Sequence, residues 1–461
     1  MAGSRQGVEI LAYAEKRGNG RHPWRARYKR PDGTLGSEPG FRTKKAAEEW
    51  GEDQEAAIRA GRWQDPEKAR TPFGEFVPLW MGAQKVAPAT ANKRRYLLNR
   101  HLLPAFERTP LCEINLFTAQ AWANRQTCAP ATVSSSLTLL SSILTGAADA
   151  GYLLANPMYG RRRKPADRPE HDVTKQHGAV DHAEDAEKET VWAQPDDVFQ
   201  LHRRLGGVAG LMVVTAAYTG MRWGELAGLH RSAVLLKRSD KIDRRPFERT
   251  VLRIDPAIGS LHEVEFEATE GELEKWRSAE AARLAECREK DWKAIPRKEP
   301  KTVVKLYLGP PKNRTSAREV DLPPFLVELL EKHLAAWPHE YVFATEADGK
   351  WWRRGNFGRS HLRPAADGRE EIPRKRGYAG REGWEPILPG LTMRGLRHSH
   401  DTWMKDARVD RALRFETMGW AVSGDIEGVY EHVTPEMRRG RLDALEARWR
   451  RGRRVALRAV S

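Results

Sequence analysis

The sequence predicts a multidomain α+β protein. A small N-terminal three-stranded sheet with one helix precedes an all-α unit and a larger, mainly α domain with a small β-sheet. Three observations carry that prediction. A chain of 461 residues is too long for one compact core, so two to three domains are expected. The apolar period lengthens from strand-like to helical between Trp24 and Ile58. Residues 159–191 are polar, of mixed charge and almost free of large apolar side chains, as a linker is.

The elements follow in order. Trp24-Arg25-Ala26-Arg27-Tyr28-Lys29 alternates apolar with basic, and Pro31-Asp32-Gly33 supplies a turn, so a hairpin with one basic face is expected. Thr43 is placed to cap a helix carrying Ala46, Ala47, Trp50, Ala57 and Ile58. This unit spans 1–65. Thr71-Pro72 opens an all-helical unit over 71–158, in which residues 89–102 carry Lys93, Arg94, Arg95 and Arg100 beside Tyr96, while Pro130 to Ala150 repeats Val133, Leu137, Leu140 and Leu144 as a core helix does.

A third domain is expected over 192–461, opened by Pro195-Asp196-Asp197 and strongly apolar from Leu201 to Tyr218. Its segment 237–304 is highly charged and reads as an insertion with a surface helix, Glu272 to Trp292. Two short strands then flank a loop bearing Lys312, and the C-terminal stretch from Met437 is an arginine-rich helix.

Composition narrows the partner. Lys and Arg total 79 against 63 Asp and Glu, a net charge of +16, which calls for a polyanion. Cys112, Cys128 and Cys287 lie far apart with no CxxC pair, so neither a disulfide framework nor a structural zinc site is expected, and His171, His177 and His182 in the linker read as solvated. No window approaches eighteen uninterrupted apolar residues and Met1 to Gln6 lacks a secretory pattern, so the expected compartment is the cytosol.

Four segments of the third domain carry chemistry. They are Thr219-Gly220-Met221-Arg222-Trp223-Gly224-Glu225-Leu226, the Pro311-Lys312-Asn313 loop with Ser316 and Arg318 after it, Leu391 to Ser399, and Met418-Gly419-Trp420 followed by Tyr430-Glu431-His432-Val433-Thr434-Pro435. In identity, order and separation they resemble the boxes of the tyrosine recombinases, the phage integrase family. The resemblance extends to the front of the chain, where 1–65 and 71–158 have the shape and charge of an arm-type DNA-binding domain and a helical core-binding domain; 237–304 lies outside the family pattern.

The resemblance implies a site-specific recombinase that cuts and rejoins DNA through a 3′-phosphotyrosine. Tyr430 would be the nucleophile, Arg222 and Arg397 the clamp on the scissile phosphate, Trp420 a further donor to it, and Lys312, on a β-hairpin, the acid that protonates the leaving 5′-oxygen. Residue types fit those tasks. A guanidinium presents a planar, permanently charged fork to phosphate oxygens, and an indole can only donate. Glu225 and His398 hold supporting positions. Arg394 stands where the family usually has histidine, and an arginine can donate to the phosphate but cannot accept the phenol's proton.

On this reading Arg25, Arg27 and Lys29 meet accessory DNA sites and Lys93, Arg94, Arg95 and Arg100 grip the core site. The partners implied are double-stranded DNA carrying attachment sites, a homotetramer on that DNA and a directionality factor, without a membrane. Neither cofactor nor metal is required, because the phosphotyrosine conserves the energy of the broken bond. The setting is the bacterial cytoplasm at the nucleoid, with integration and excision of a phage or mobile element. Two alternatives stay open: a catalytically inactive DNA-binding protein of the same fold, and a recombinase that resolves chromosome dimers.

Overall fold

The computed structural model describes residues 12–159, 190–242, 245–292, 294–374, 380–421 and 433–458, without the side chains of 240–247. The chain divides into two compact units, Met1–Gly178 and Ala179–Ser461.

The first unit opens with an antiparallel sheet of order β1-β2-β3: β1 (Tyr13–Lys16), β2 (Trp24–Lys29) and β3 (Leu35–Phe41). Period-two alternation works as expected. Ala26 and Tyr28 are buried beneath α1 (Lys44–Arg59), while Arg25, Arg27 and Lys29 share the opposite face. Thr43 caps α1 by accepting from the Ala46 amide at 3.2 Å. Gly36 lies against the Tyr28 ring, where a Cβ would approach to 2.4 Å.

Helices α2 (Pro66–Ala69), α3 (Phe73–Ala83), α4 (Pro88–Leu97), α5 (Leu103–Phe106), α6 (Leu116–Asn124) and α7 (Pro130–Asp149) complete this unit. Leu140, Ile143, Leu144 and Ala147 of α7 are fully buried in its core. Pro72, rather than Thr71, occupies the N-cap of α3 and makes no side-chain cap bond. The expected sheet-plus-helix and all-helical parts are tied together: Arg70 makes a two-pronged pair with Glu38 at 2.9 and 2.7 Å, and Gln64 Nε2 donates to the Tyr152 carbonyl at 2.7 Å.

The second unit is built around α9 (Gly207–Thr219), whose residues from Val208 to Thr219 are all buried. A helix apolar all round belongs at the centre of a domain. Around it run α8 (Pro195–Leu205), α10 (Trp223–Ala227), α12 (Pro324–Ala336), α13 (Arg354–Phe357), α14 (Arg363–Asp367), α15 (Met393–Asp406), α16 (Arg411–Met418) and α17 (Pro435–Arg458). Trp449 of α17 stacks on Phe325 at 4.4 Å, and Tyr218 of α9 meets Phe325, Trp403 and Trp449 within 4.8–5.7 Å.

The strands depart from expectation in two ways. Among the described residues this unit has two small sheets, not one: β4 (Val234–Ile242), β5 (Arg245–Ile254) and β8 (Arg318–Asp321) in order β4-β5-β8, and a β6 (Ser260–Glu267) and β7 (Thr302–Gly309) pair. The segment 237–304, expected as one charged insertion with a surface helix, holds strands as well: β5 and β6 place Val251, Leu252, Ile254, Leu261 and Val264 in the interior, and α11 (Glu270–Glu289) with its flanks is carried in the turn between β6 and β7. Charged outward faces on half-buried strands raised the local charge and hid them.

The strands flanking Lys312 also fail to form a hairpin with each other, since β7 pairs with β6 and β8 with β5. Pro310 and Pro311 cannot donate to a ladder, and a 3₁₀ turn at Arg314–Ser316 separates the two sheets.

Candidate functional site

The site is assembled where α9 and α16 end. Gly220 caps α9 and Gly419 caps α16, both left-handed with φ of +64° and +60°. A side chain is barred at each by crowding as well as by φ: a Cβ on Gly220 would meet His400 and Met418 at 2.8 Å, and one on Gly419 would meet Arg318 at 2.9 Å. These glycines aim two helix C-termini, the negative ends of their dipoles, into one place.

Arg397, on α15, fills that place. Its Nη1 donates to the Gly220 carbonyl and its Nη2 to the Met418 carbonyl, so it bridges the ends of α9 and α16. Burial, followed by the charges of Arg222 and Arg318, pulls its pKa down to about 9. It keeps its charge at neutral pH.

Arg222 is the N-cap of α10, which starts directly after the Gly220 turn. Its backbone amide donates to Glu225 Oε2 at 2.9 Å, its Nη1 to Glu225 Oε1 at 2.9 Å and to Ser316 Oγ at 2.8 Å, and its Nη2 to the Gly419 carbonyl at 3.3 Å. Glu225 itself is buried. Burial works against its charge, but Arg318 and Arg222 outweigh that and hold its pKa below the ordinary carboxylate value.

Arg318 is the member whose role the sequence did not reveal. It is buried at the start of β8 and donates to both Glu225 oxygens at 3.2 and 3.1 Å, to the Thr417 carbonyl at 2.7 Å and to the Ser316 carbonyl at 2.8 Å. One guanidinium thus joins α10, the segment after Lys312 and the end of α16. Its strand reads Arg-Glu-Val-Asp, three ionisable residues of four, and carries no local signal of burial.

Trp420 follows Gly419, half-buried and edge-on to Phe415 at 5.5 Å, with the Arg397 guanidinium 6.0 Å from its ring centre. Arg222, Glu225, Arg397 and Trp420 are therefore brought together, and Ser316 ties in the loop whose exposed Lys312 lies four residues earlier. Arg394 stands apart, exposed on α15, with Nε 3.4 Å from His398 Nε2. Burial, then the Arg394 charge, lowers the pKa of His398. Tyr430 lies outside the described residues, as do His171, His177 and His182.

Of the expected DNA contacts, Arg27 donates to Glu15 at 2.9 Å, and Lys29 is exposed beside it on the sheet. On α4, Lys93 and Arg95 are exposed while Arg94 lies over the Trp80 ring at 4.9 Å; Arg100 is exposed in the π turn that follows. Among the described residues no group of three His, Cys, Asp or Glu side chains is placed to hold a metal.

No protein-family model matches the chain. It is 24% identical over 407 residues to a Mycobacterium tuberculosis protein called "Putative prophage phiRv2 integrase", covering 87% of this chain and 86% of that one. Among solved structures, a Tn1549 transposon integrase in complex with circular intermediate DNA overlaps at a TM-score of 0.46 with 14% identity, covering 80% of this chain and 98% of that one. A lambda integrase tetramer bound to a Holliday junction gives 0.41 and 13%, covering 95% and 97%. The alignment to a prophage integrase runs along most of both chains, and the arginine boxes are in order and gathered by the fold. The chain is thus similar to integrases of the tyrosine recombinase, or phage integrase, family.

Proposed function

We propose that this protein cuts and rejoins DNA at specific sites through a covalent 3′-phosphotyrosine on Tyr430, integrating and excising a phage or mobile element. The observation that carries the reading is the pair Arg222 and Arg397, two cations from separate segments held beside one another by helix-end carbonyls, with Arg222 also anchored on the buried Glu225 carboxylate. Holding like charges together costs energy, which a dianionic phosphorane offsets by accepting hydrogen bonds from both.

In this mechanism the Tyr430 phenol oxygen attacks phosphorus, the bond to the 5′-oxygen breaks, and Lys312 donates a proton to that oxygen. Trp420 Nε1 donates to a non-bridging oxygen. The positive charge of the arginines favours phenolate over phenol as Tyr430 attacks. In the reverse step a 5′-hydroxyl attacks the phosphotyrosine and Tyr430 leaves, so no ATP and no metal enter. Each protomer supplies one tyrosine, and exchange between two duplexes breaks four strands, so four protomers act together. Arm-type sites fall to Arg25, Arg27 and Lys29 and core sites to α4, with a directionality factor as a further partner, in the bacterial cytoplasm.

A nicked suicide substrate carrying the attachment core tests this. Wild type should become covalently attached to DNA, and Tyr430→Phe should bind the duplex yet form no adduct. Tight binding by wild type without an adduct would instead identify a non-catalytic DNA-binding protein.

A further inference from the structure

The helix that follows Tyr430 in the chain is fastened near its start by charge. Arg438 and Arg441 stand one turn apart on α17 and both reach the end of β8: Arg438 Nη1 donates to Asp321 Oδ2 at 2.9 Å, and Arg441 Nη2 donates to the Asp321 carbonyl at 2.9 Å. Asp321 is buried and also accepts from Arg249 Nε of β5 at 2.7 Å. The other arm of the Arg438 fork, Nη2, donates to both oxygens of Glu416 on α16 at 2.7 and 3.0 Å. Arg438 thus bridges the last turn of α16 to the end of β8.

Keeping α17 on the domain does not require this arrangement. Leu445, Trp449 and Ala456 already bury its inner face, cations near a helix N-terminus run against its dipole, and a buried ion pair holds two elements together no better than apolar packing would. What a two-pronged guanidinium adds is direction, a fixed register between the groups it joins. Strand β8 carries such a handle at each end. Arg318 at its head holds Glu225, the carboxylate that anchors Arg222, together with the Thr417 carbonyl of α16, and Asp321 at its foot, about 10 Å further on, holds Arg438. The end of α16 and the start of α17 are therefore both referred to the strand that also sets the position of Arg222. Tyr430 stands five residues before Pro435, the first residue of α17, on a tether that spans at most about 18 Å.

Resting on the recombinase reading, we infer that Arg438 is a positioning residue for the nucleophile: by tying the start of α17 to Asp321 and Glu416 it sets where the short tether to Tyr430 begins, and so the reach of the phenol to the phosphate held by Arg222 and Arg397. Arg438 touches no substrate in this scheme. It acts through Tyr430 alone, so its loss slows the attack on phosphorus and leaves the binding of the duplex as it was. A displacement of about 1 Å at a reacting group is enough to cost about 10²-fold in rate.

Single-turnover adduct formation on the nicked suicide substrate, followed over a range of DNA concentrations with the full-length chain, tests this. In Arg438→Met the rate at saturating DNA should fall about 10²-fold, with the half-saturating concentration unchanged. Arg438→Lys, whose ammonium is a point charge without a fork, should recover only part of that rate. Glu416→Gln keeps Arg438 on Asp321 and alters a partly exposed carboxylate, so it folds even where Arg438→Met does not; it should lower the saturating rate by a smaller factor, again with the half-saturating concentration and the urea midpoint unchanged. Saturating rates equal to wild type in Arg438→Met and Glu416→Gln overturn this inference, and so does a loss of rate that follows the folded fraction or the affinity; in either case a wild type that forms adduct leaves the recombinase reading standing. A wild type that binds the duplex and forms no adduct overturns both.

Discussion

Glu225 and Arg318 form a buried two-pronged ion pair, 3.2 and 3.1 Å between matched atoms, and the same carboxylate accepts from Arg222 at 2.9 Å. One anion therefore serves two cations. Because Arg318 also holds the Thr417 and Ser316 carbonyls, the position of Arg222 is referred to the end of α16 and to the segment after Lys312 together. With Arg397 close enough for its charge to be felt, the group keeps a surplus of positive charge that a phosphate can neutralise.

Arg318→Met should show this coupling. Removing one partner leaves Glu225 buried without its principal counter-ion, and urea unfolding should register a loss of about 3–5 kcal/mol. The double variant Arg318→Met/Glu225→Gln should regain most of that stability, since both charges are gone. It should not regain adduct formation, because Arg222 has then lost its anchor. Equal recovery of both would mean that Arg318 serves stability alone.

Arg397→Lys separates charge from geometry. An ammonium keeps the charge but cannot span the carbonyls of Gly220 and Met418 while presenting a fork to phosphate. Covalent adduct formation should slow by about 10²–10³, with duplex affinity changed far less. An adduct rate close to wild type would show that a point charge suffices.

The particulars that were legible in the sequence are those written in local pattern. The alternation from Trp24 to Lys29 gave the face of β2, Thr43 its capping role, and the spacing of the boxes the approach of Arg222 to Arg397 and Trp420. What was hidden depends on contacts far along the chain. Arg318 sits in Arg-Glu-Val-Asp, a string that looks solvated until its partners Glu225 and Thr417 are in place. The β4 to β6 strands were masked by charged outer faces, and the partners of β7 and β8 could not be read from two prolines and a loop. Likewise Glu263, which pins Trp223 to Arg354, is one acid among many in a charged stretch.

His400 makes stability depend on pH. It is fully buried, its Nδ1 lies 3.0 Å from the Ala217 carbonyl, and burial followed by the Arg441 charge holds its pKa well below the ordinary value. In the unfolded chain it takes up a proton near ~6.5, whereas in the folded chain it does not until the pH is far lower. Stability from this group is thus complete above that value and falls as the pH drops through it. His400→Asn, whose amide replaces the Nδ1 donor, should lose about 1–2 kcal/mol less than wild type between pH 7 and 5. Parallel unfolding curves for the two proteins would contradict the assignment.

Arg394 and His398 supply the last test. Arg394 donates toward His398 Nε2 from the position at which the family resemblance places a proton acceptor, and its charge is the second cause, after burial, of the lowered His398 pKa. Replacing it by histidine removes that charge and installs a group able to take the phenol's proton. In Arg394→His the NMR titration of His398 should move upward but stop short of its ordinary value, since burial persists. Adduct formation should gain a new inflection near ~6.5, the rate rising on the alkaline side where imidazole is neutral. A pH–rate profile identical to wild type would place position 394 outside the proton's path, and an unmoved His398 would remove Arg394 as a cause of its shift.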